Sequence, residues 1–97
     1  MPAKIKPIKF DWDKDNKYKN WEKHKVDFKE CEEIFFNKPL KTLYDTKHSQ
    51  KENRFIAFGK TNKNKKLYIV FTIRSNKIRI ISARKQSQKE RKYYEKS

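Results

Sequence analysis

Two alternating runs separated by two residues fix what the C-terminal half of this chain can become. Lys66-Leu67-Tyr68-Ile69-Val70-Phe71-Thr72-Ile73-Arg74 and Lys77-Ile78-Arg79-Ile80-Ile81-Ser82-Ala83-Arg84 are joined only by Ser75 and Asn76. An Asn-bearing two-residue connection between β-branched runs predicts a hairpin. Pairing Arg74 with Lys77 sets Thr72 opposite Arg79, Val70 opposite Ile81 and Tyr68 opposite Ala83. Successive side chains alternate faces, so Tyr68, Thr72, Arg74, Lys77 and Arg79 share one side of the sheet. Leu67, Ile69, Phe71, Ile73, Ile78 and Ile80 take the other and read as core. The reverse face is basic and carries an aromatic ring, a surface suited to phosphates.

Charge extends that reading to the whole chain. The 97 residues carry 27 Lys and Arg against 12 Asp and Glu, a formal net charge of +15. Such a balance favours RNA, DNA, an anionic surface or an acidic protein as partner. The length predicts a single domain over residues 1–97 with one modest core. One cysteine, Cys31, excludes an intramolecular disulfide and suits a reducing compartment; on an apolar helix face it reads as inert packing. No apolar run approaches the ~20 residues that span a bilayer. Nor does Met1 precede a signal-peptide-like apolar region, so the expectation is a soluble, cytoplasmic protein without a membrane partner.

Residues 5–12 alternate around Pro7 and predict an edge strand, where proline is tolerated. Asp11 or Asp13 is expected to cap a helix running to His24, with Tyr18 and Trp21 burying one stripe. Asp27-Phe28-Lys29-Glu30 has the form of a capping box, with Val26 as its staple. Phe28, Cys31, Ile34 and Phe35 then recur at helical spacing until Asn37 and Pro39. A short strand at Lys41–Asp45, a polar loop, a strand at Phe55–Lys60, the hairpin and a short helix at Ser87–Glu95 follow. The predicted fold class is α+β: an N-terminal strand and two helices on one face of a small antiparallel sheet, with a short C-terminal helix. The helices are expected to form one layer.

The chemistry available is cationic. His24, His48 and the lone cysteine have no zinc-type spacing, and a single glycine leaves no Gly-rich phosphate loop. Neither a metal nor a cofactor is therefore expected. Arginines are few, and Arg54, Arg74, Arg79 and Arg84 lie in or beside the predicted sheet. A guanidinium fork matches phosphate oxygens in a way a lysine does not; packing on a ring or pairing with Glu30, Glu52 or Glu90 is the alternative use. RNA cleavage would need a base for the ribose 2′-hydroxyl, cations for the transition state and a proton for the leaving oxygen. His24, His48, Glu52, Tyr68, Tyr93 and Tyr94 are the candidates for the proton transfers. His48, in a polar loop, reads equally as an acid/base group and as an idle surface imidazole. The Tyr93-Tyr94 pair reads as docking the last helix.

Phe10-Asp11-Trp12-Asp13, then Asn20 with Lys23-His24-Lys25-Val26-Asp27-Phe28, resembles the N-terminal signature of the BrnT toxins. Asp45-Thr46-Lys47-His48-Ser49, followed by Glu52 and Arg54, is similar to that family's middle segment. Ile78-Arg79-Ile80-Ile81-Ser82-Ala83-Arg84, with Glu90-Arg91 and Tyr94-Glu95, is similar to its C-terminal motif. The resemblance implies a ribonuclease toxin of a type II toxin–antitoxin pair with a RelE-like fold. Such a toxin would be metal-independent, inhibit translation by cutting RNA, and be neutralised by a BrnA-type antitoxin. Operator DNA would be reached only through the antitoxin complex. Carried over, it assigns Arg54, Arg74, Arg79 and Arg84 to phosphate binding and transition-state stabilisation, and His48 or Glu52 to the base. Lys23, His24 and Arg91, with Tyr68 and Lys77 of the basic sheet face, are expected to contact RNA. Lys25 departs from the pattern, because the family has Gly there; a β-carbon in a left-handed cap costs on the order of 1 kcal/mol. Two other classes fit the charge and aromatics: a non-catalytic RNA-binding or ribosome-associated module, and an interaction subunit whose basic face receives an acidic antitoxin.

Overall fold

The computed structural model describes residues 8–96. In chain order the elements are α1 Lys19–His24, α2 Phe28–Glu33, β1 Lys41–Tyr44, a 3-10 turn Thr46–His48, β2 Phe55–Lys60, β3 Lys66–Arg74, β4 Lys77–Lys85 and α3 Gln88–Glu95. The strands form one antiparallel sheet in the order β1-β2-β3-β4, the α+β arrangement expected from the sequence. Among the described residues no helix is long and apolar enough to cross a membrane.

The β3–β4 hairpin closes through Ser75 (φ 50°) and Asn76 (φ 63°), the paired positive φ angles of a type I′ turn. Arg74 pairs with Lys77 and Thr72 with Arg79, as the turn dictates, but the ladder shifts between Val70 and Phe71. Val70 pairs with Ser82 rather than Ile81, and Tyr68 with Arg84 rather than Ala83. An unbulged ladder would set Ser82 and Arg84 beside Ile69 and Leu67, inside the core. The extra residue, Ile81, sends Ala83 inward and turns Arg84 to the reverse face.

The core face packs Val26, Cys31, Ile34 and Phe35 against Ala57, Leu67, Ile69, Phe71, Ile80 and Ala83. At α2 the expected capping box is present, the backbone of Asp27 donating to Glu30 Oε1 at 3.0 Å. Gly59 allows α2 to approach β2: a Cβ there would lie 2.7 Å from Ile34 Cβ. Ile73, expected in the core, is 51% exposed at the end of the sheet, beyond the cover of the helices.

The N-terminal half departs further from expectation. Asp13 starts a turn rather than a helix, accepting from the backbone of Asn16 and Lys17, and α1 begins only at Lys19. Tyr18 and Trp21 are 56% and 50% exposed instead of buried. The cause is the outer edge of β4, whose unpaired amides and carbonyls need polar partners. Buried Asn16 donates to Ile80 O at 3.1 Å, Lys19 Nζ donates to Ile81 O at 2.6 Å, and buried Asn20 accepts from Ala83 N at 3.0 Å. Side chains thus replace a fifth strand, and α1 turns its asparagine, not its aromatics, inward. The expected N-terminal strand is one parallel bridge, Phe10 with Ile78; the part of it before residue 8 lies outside the described residues.

The last helix sits on the opposite face from α2, so the helices form two layers. Ser87 and Glu90 make its capping box at 2.8 and 3.2 Å. Tyr93 packs on Phe58 at 5.0 Å, and the buried Tyr94 hydroxyl donates to Pro39 O at 2.6 Å. The Tyr pair docks this helix, as its position suggested.

Candidate active site

The loop from Asp45 to Arg54 is closed by backbone and hydroxyl together. Asp45 N donates to Arg54 O at 2.8 Å, and Ser49 Oγ accepts from Arg54 N at 2.9 Å while donating to Asp45 O. From beneath, Thr72 Oγ1 donates to Asn53 O at 2.6 Å, which explains why Thr72, expected on the exposed face, is buried. Inside this frame Asp45 is 9% exposed. Its carboxylate accepts from His48 N at 3.3 Å and, with Nδ1 carrying the proton, from the imidazole at 3.0 Å. The His48 ring itself is 59% exposed. With Nδ1 engaged, Nε2 is the atom able to take a proton.

His48 lines an open cleft of about 310 Å³ together with Lys47, Gln50, Lys51, Glu52 and Arg54. Glu52 ties two arginines to it. Its Oε1 accepts from Arg74 Nη2 at 3.1 Å, and Oε2 lies 4.0 Å from Arg54 Nη2. Four of the six residues expected to be catalytic are thus linked in one stretch of surface: His48, Glu52, Arg54 and Arg74.

The other two are anchored elsewhere. Arg79 lies 3.0 Å from Asp13 and 3.6 Å from Asp11, with its side chain 14% exposed. Its hydrogen bond holds the Asp13 carboxyl below the usual range. Arg84 grips Glu90 with both nitrogens, at 2.8 and 2.9 Å, and stacks 4.0 Å above the Tyr68 ring. Tyr68 also meets Phe58 edge-on at 5.4 Å, so its ring is packed between Arg84 and Phe58. Lys23 and His24 are exposed at the end of α1, Lys77 at the hairpin tip and Arg91 on α3.

Two further residues belong to this surface. Asp45 was legible in part, because Asp45 and His48 stand three apart, the spacing at which side chains meet on one helical turn. Lys19 carried no signal. Its ammonium is fixed on the carbonyl of the bulged residue Ile81, and burial, then repulsion from Lys23, Arg79 and Arg54, lowers its pKa. Cys31 has no part in this surface: burial pushes its thiol up to about 12.

Fold and site together define a class: a small α+β protein presenting an imidazole and a carboxylate among basic side chains. A family model described as the ribonuclease toxin BrnT of type II toxin–antitoxin systems matches residues 12–90. The crystal structure of the Brucella abortus ribonuclease toxin BrnT superposes with a TM-score of 0.61 at 27% identity. The match covers 84% of this chain and 99% of that one. No curated protein matches the sequence. The chain belongs to the BrnT family of type II toxin–antitoxin ribonuclease toxins.

Proposed function

We propose that this chain is a metal-independent endoribonuclease in which His48, oriented by Asp45, is the general base. The observation that carries this reading is the 3.0 Å contact between Asp45 and His48 Nδ1 at the wall of a cleft shared with Glu52 and Arg54. A buried carboxylate on Nδ1 fixes the ring and stabilises the imidazolium once it forms. His48 Nε2 takes the ribose 2′-hydroxyl proton, the 2′-oxygen attacks phosphorus, and the P–O5′ bond breaks. The products are a 2′,3′-cyclic phosphate and a 5′-hydroxyl protonated from water in the open cleft. Arg54 and Arg74, held by Glu52, supply the positive charge that a metal would otherwise bring. Arg79, Lys19 and Lys23 extend the cationic field along the strand path. Arg84, engaged with Glu90 and Tyr68, supports the sheet that carries the site.

Cutting messenger RNA would inhibit translation, in keeping with a RelE-like toxin. Family membership implies an antitoxin; a BrnA-type protein is the proposed one, and operator DNA is reached only with it. The test is incubation of the purified protein with RNA in the presence of a chelator, followed by analysis of the new ends. Cleavage undiminished by chelation, with 2′,3′-cyclic phosphate ends, is expected. Cleavage abolished by the chelator and restored by a divalent cation would contradict the metal-independent route.

A further inference from the structure

The exposed aromatic side of α1 has no part in the cleft chemistry. Tyr18 and Trp21, three residues apart, are 56% and 50% exposed, on the side of α1 away from the buried Asn20. Each ring has an ammonium over it. Lys17 Nζ lies 5.5 Å from the Tyr18 centroid and 4.5 Å from that of Phe28, and Lys25 Nζ lies 5.2 Å from that of Trp21. Phe28 backs Tyr18 edge-on at 6.2 Å, and Trp12 backs Phe28 at 5.6 Å. Trp12 is itself fixed by its indole nitrogen, which donates to Glu32 at 2.7 Å. The result is a braced aromatic ledge of two half-exposed rings, each with an ammonium over it.

We infer that Tyr18 and Trp21 form a second binding site, a stacking platform for unpaired RNA bases lying outside the scissile position. This rests on the ribonuclease reading and extends it. Exposed rings interleaved with lysines are what single-stranded nucleic acid needs: bases stack on the rings, and ammonium groups meet the phosphates. α1 carries Lys19, fixed on the β4 edge, and Lys23 together with the two rings, so cations and stacking faces share one short segment. Two half-exposed rings offer flat faces, which suit bases better than a peptide that must bury its own side chains. Stacking of this kind is tolerant of sequence, so the site lengthens the footprint without choosing the cut.

The experiment uses single-stranded 2′-O-methyl RNA, which lacks the attacking hydroxyl and reports binding whether or not His48 is the base. An eight-nucleotide probe and a two-nucleotide probe are titrated against wild type, Trp21→Ala, Trp21→Phe and Tyr18→Ala, reading tryptophan fluorescence and affinity at two salt concentrations. Trp21 should quench on binding the long probe, and Trp21→Ala should weaken that binding about tenfold, with Trp21→Phe largely restoring it. The salt slope should be unchanged, since stacking releases no counterions. The short probe should bind all variants alike. Unquenched fluorescence, with long-probe affinity equal in wild type and Trp21→Ala, would overturn the proposal. So would a Trp21→Ala protein that binds RNA normally and loses only its antitoxin, which would make the ledge a protein interface.

Discussion

Lys25 closes α1 at φ 58° and ψ 36°, a left-handed conformation that disfavours any residue with a β-carbon. Its amide donates to Trp21 O at 3.0 Å, and that of Val26 to Asn20 O at 3.2 Å, so the helix end is fully formed despite the strain. The family resemblance marked this position as one for glycine, and the backbone explains why. Lys25→Gly should stabilise the fold by about 0.5–1 kcal/mol, read as a higher urea midpoint with an unchanged slope. An unchanged midpoint would mean that the lysine's contact with Trp21 offsets the strain. Asp45 is the counterpart at the site. Its spacing from His48 was visible in the sequence, but its burial depends on Ser49 and Arg54 closing the loop, which no local pattern records.

Among the elements, the hairpin was legible because period-two alternation and a two-residue turn are local properties. The bulge was not. It answers to the core, which rejects Ser82 and Arg84, and so depends on residues far away in sequence. Burial of Tyr18 and Trp21 failed as an expectation for a similar reason: the β4 edge, more than fifty residues on, requires Asn16 and Asn20 instead. Close packing of α2 on β2 rests on Gly59. Gly59→Ala should cost about 1–3 kcal/mol, seen as a lower thermal midpoint, because Ile34 cannot retreat without displacing α2. At α3, the hydrogen bond from Arg84, ahead of the capping bonds from Ser87, holds the Glu90 carboxyl below its ordinary value of 4.5. A depressed folded-state pKa contributes stability that is present above the unfolded value and lost as pH falls through the folded one. Wild type should therefore lose thermal stability below about pH 5 more steeply than Glu90→Gln. Equal slopes would show that the pair does not anchor the helix.

For the whole molecule, a net charge of +15 on 97 residues predicts binding that weakens steeply with salt, whatever the nucleic acid. Charge alone therefore identifies no substrate, and it was equally compatible with a binding module. The fold narrows the choice by gathering a few groups: one sheet face, partly covered by α3 and the Asp45–Arg54 loop, leaves His48, Glu52 and Arg54 at one open cleft, with Arg74 paired to Glu52. Arg79→Ala should act differently from Arg54→Ala. Loss of Arg79 leaves Asp11 and Asp13 uncompensated beside β4 and should lower the thermal midpoint, whereas loss of Arg54 should lower cleavage with the fold intact. The most direct measurement is the RNA cleavage rate of purified wild type beside His48→Ala and Asp45→Asn, each checked for folding by circular dichroism. A loss of about 100-fold or more in His48→Ala, with a smaller loss in Asp45→Asn, is expected of a carboxylate-oriented base. Full activity in a folded His48→Ala protein would contradict the account.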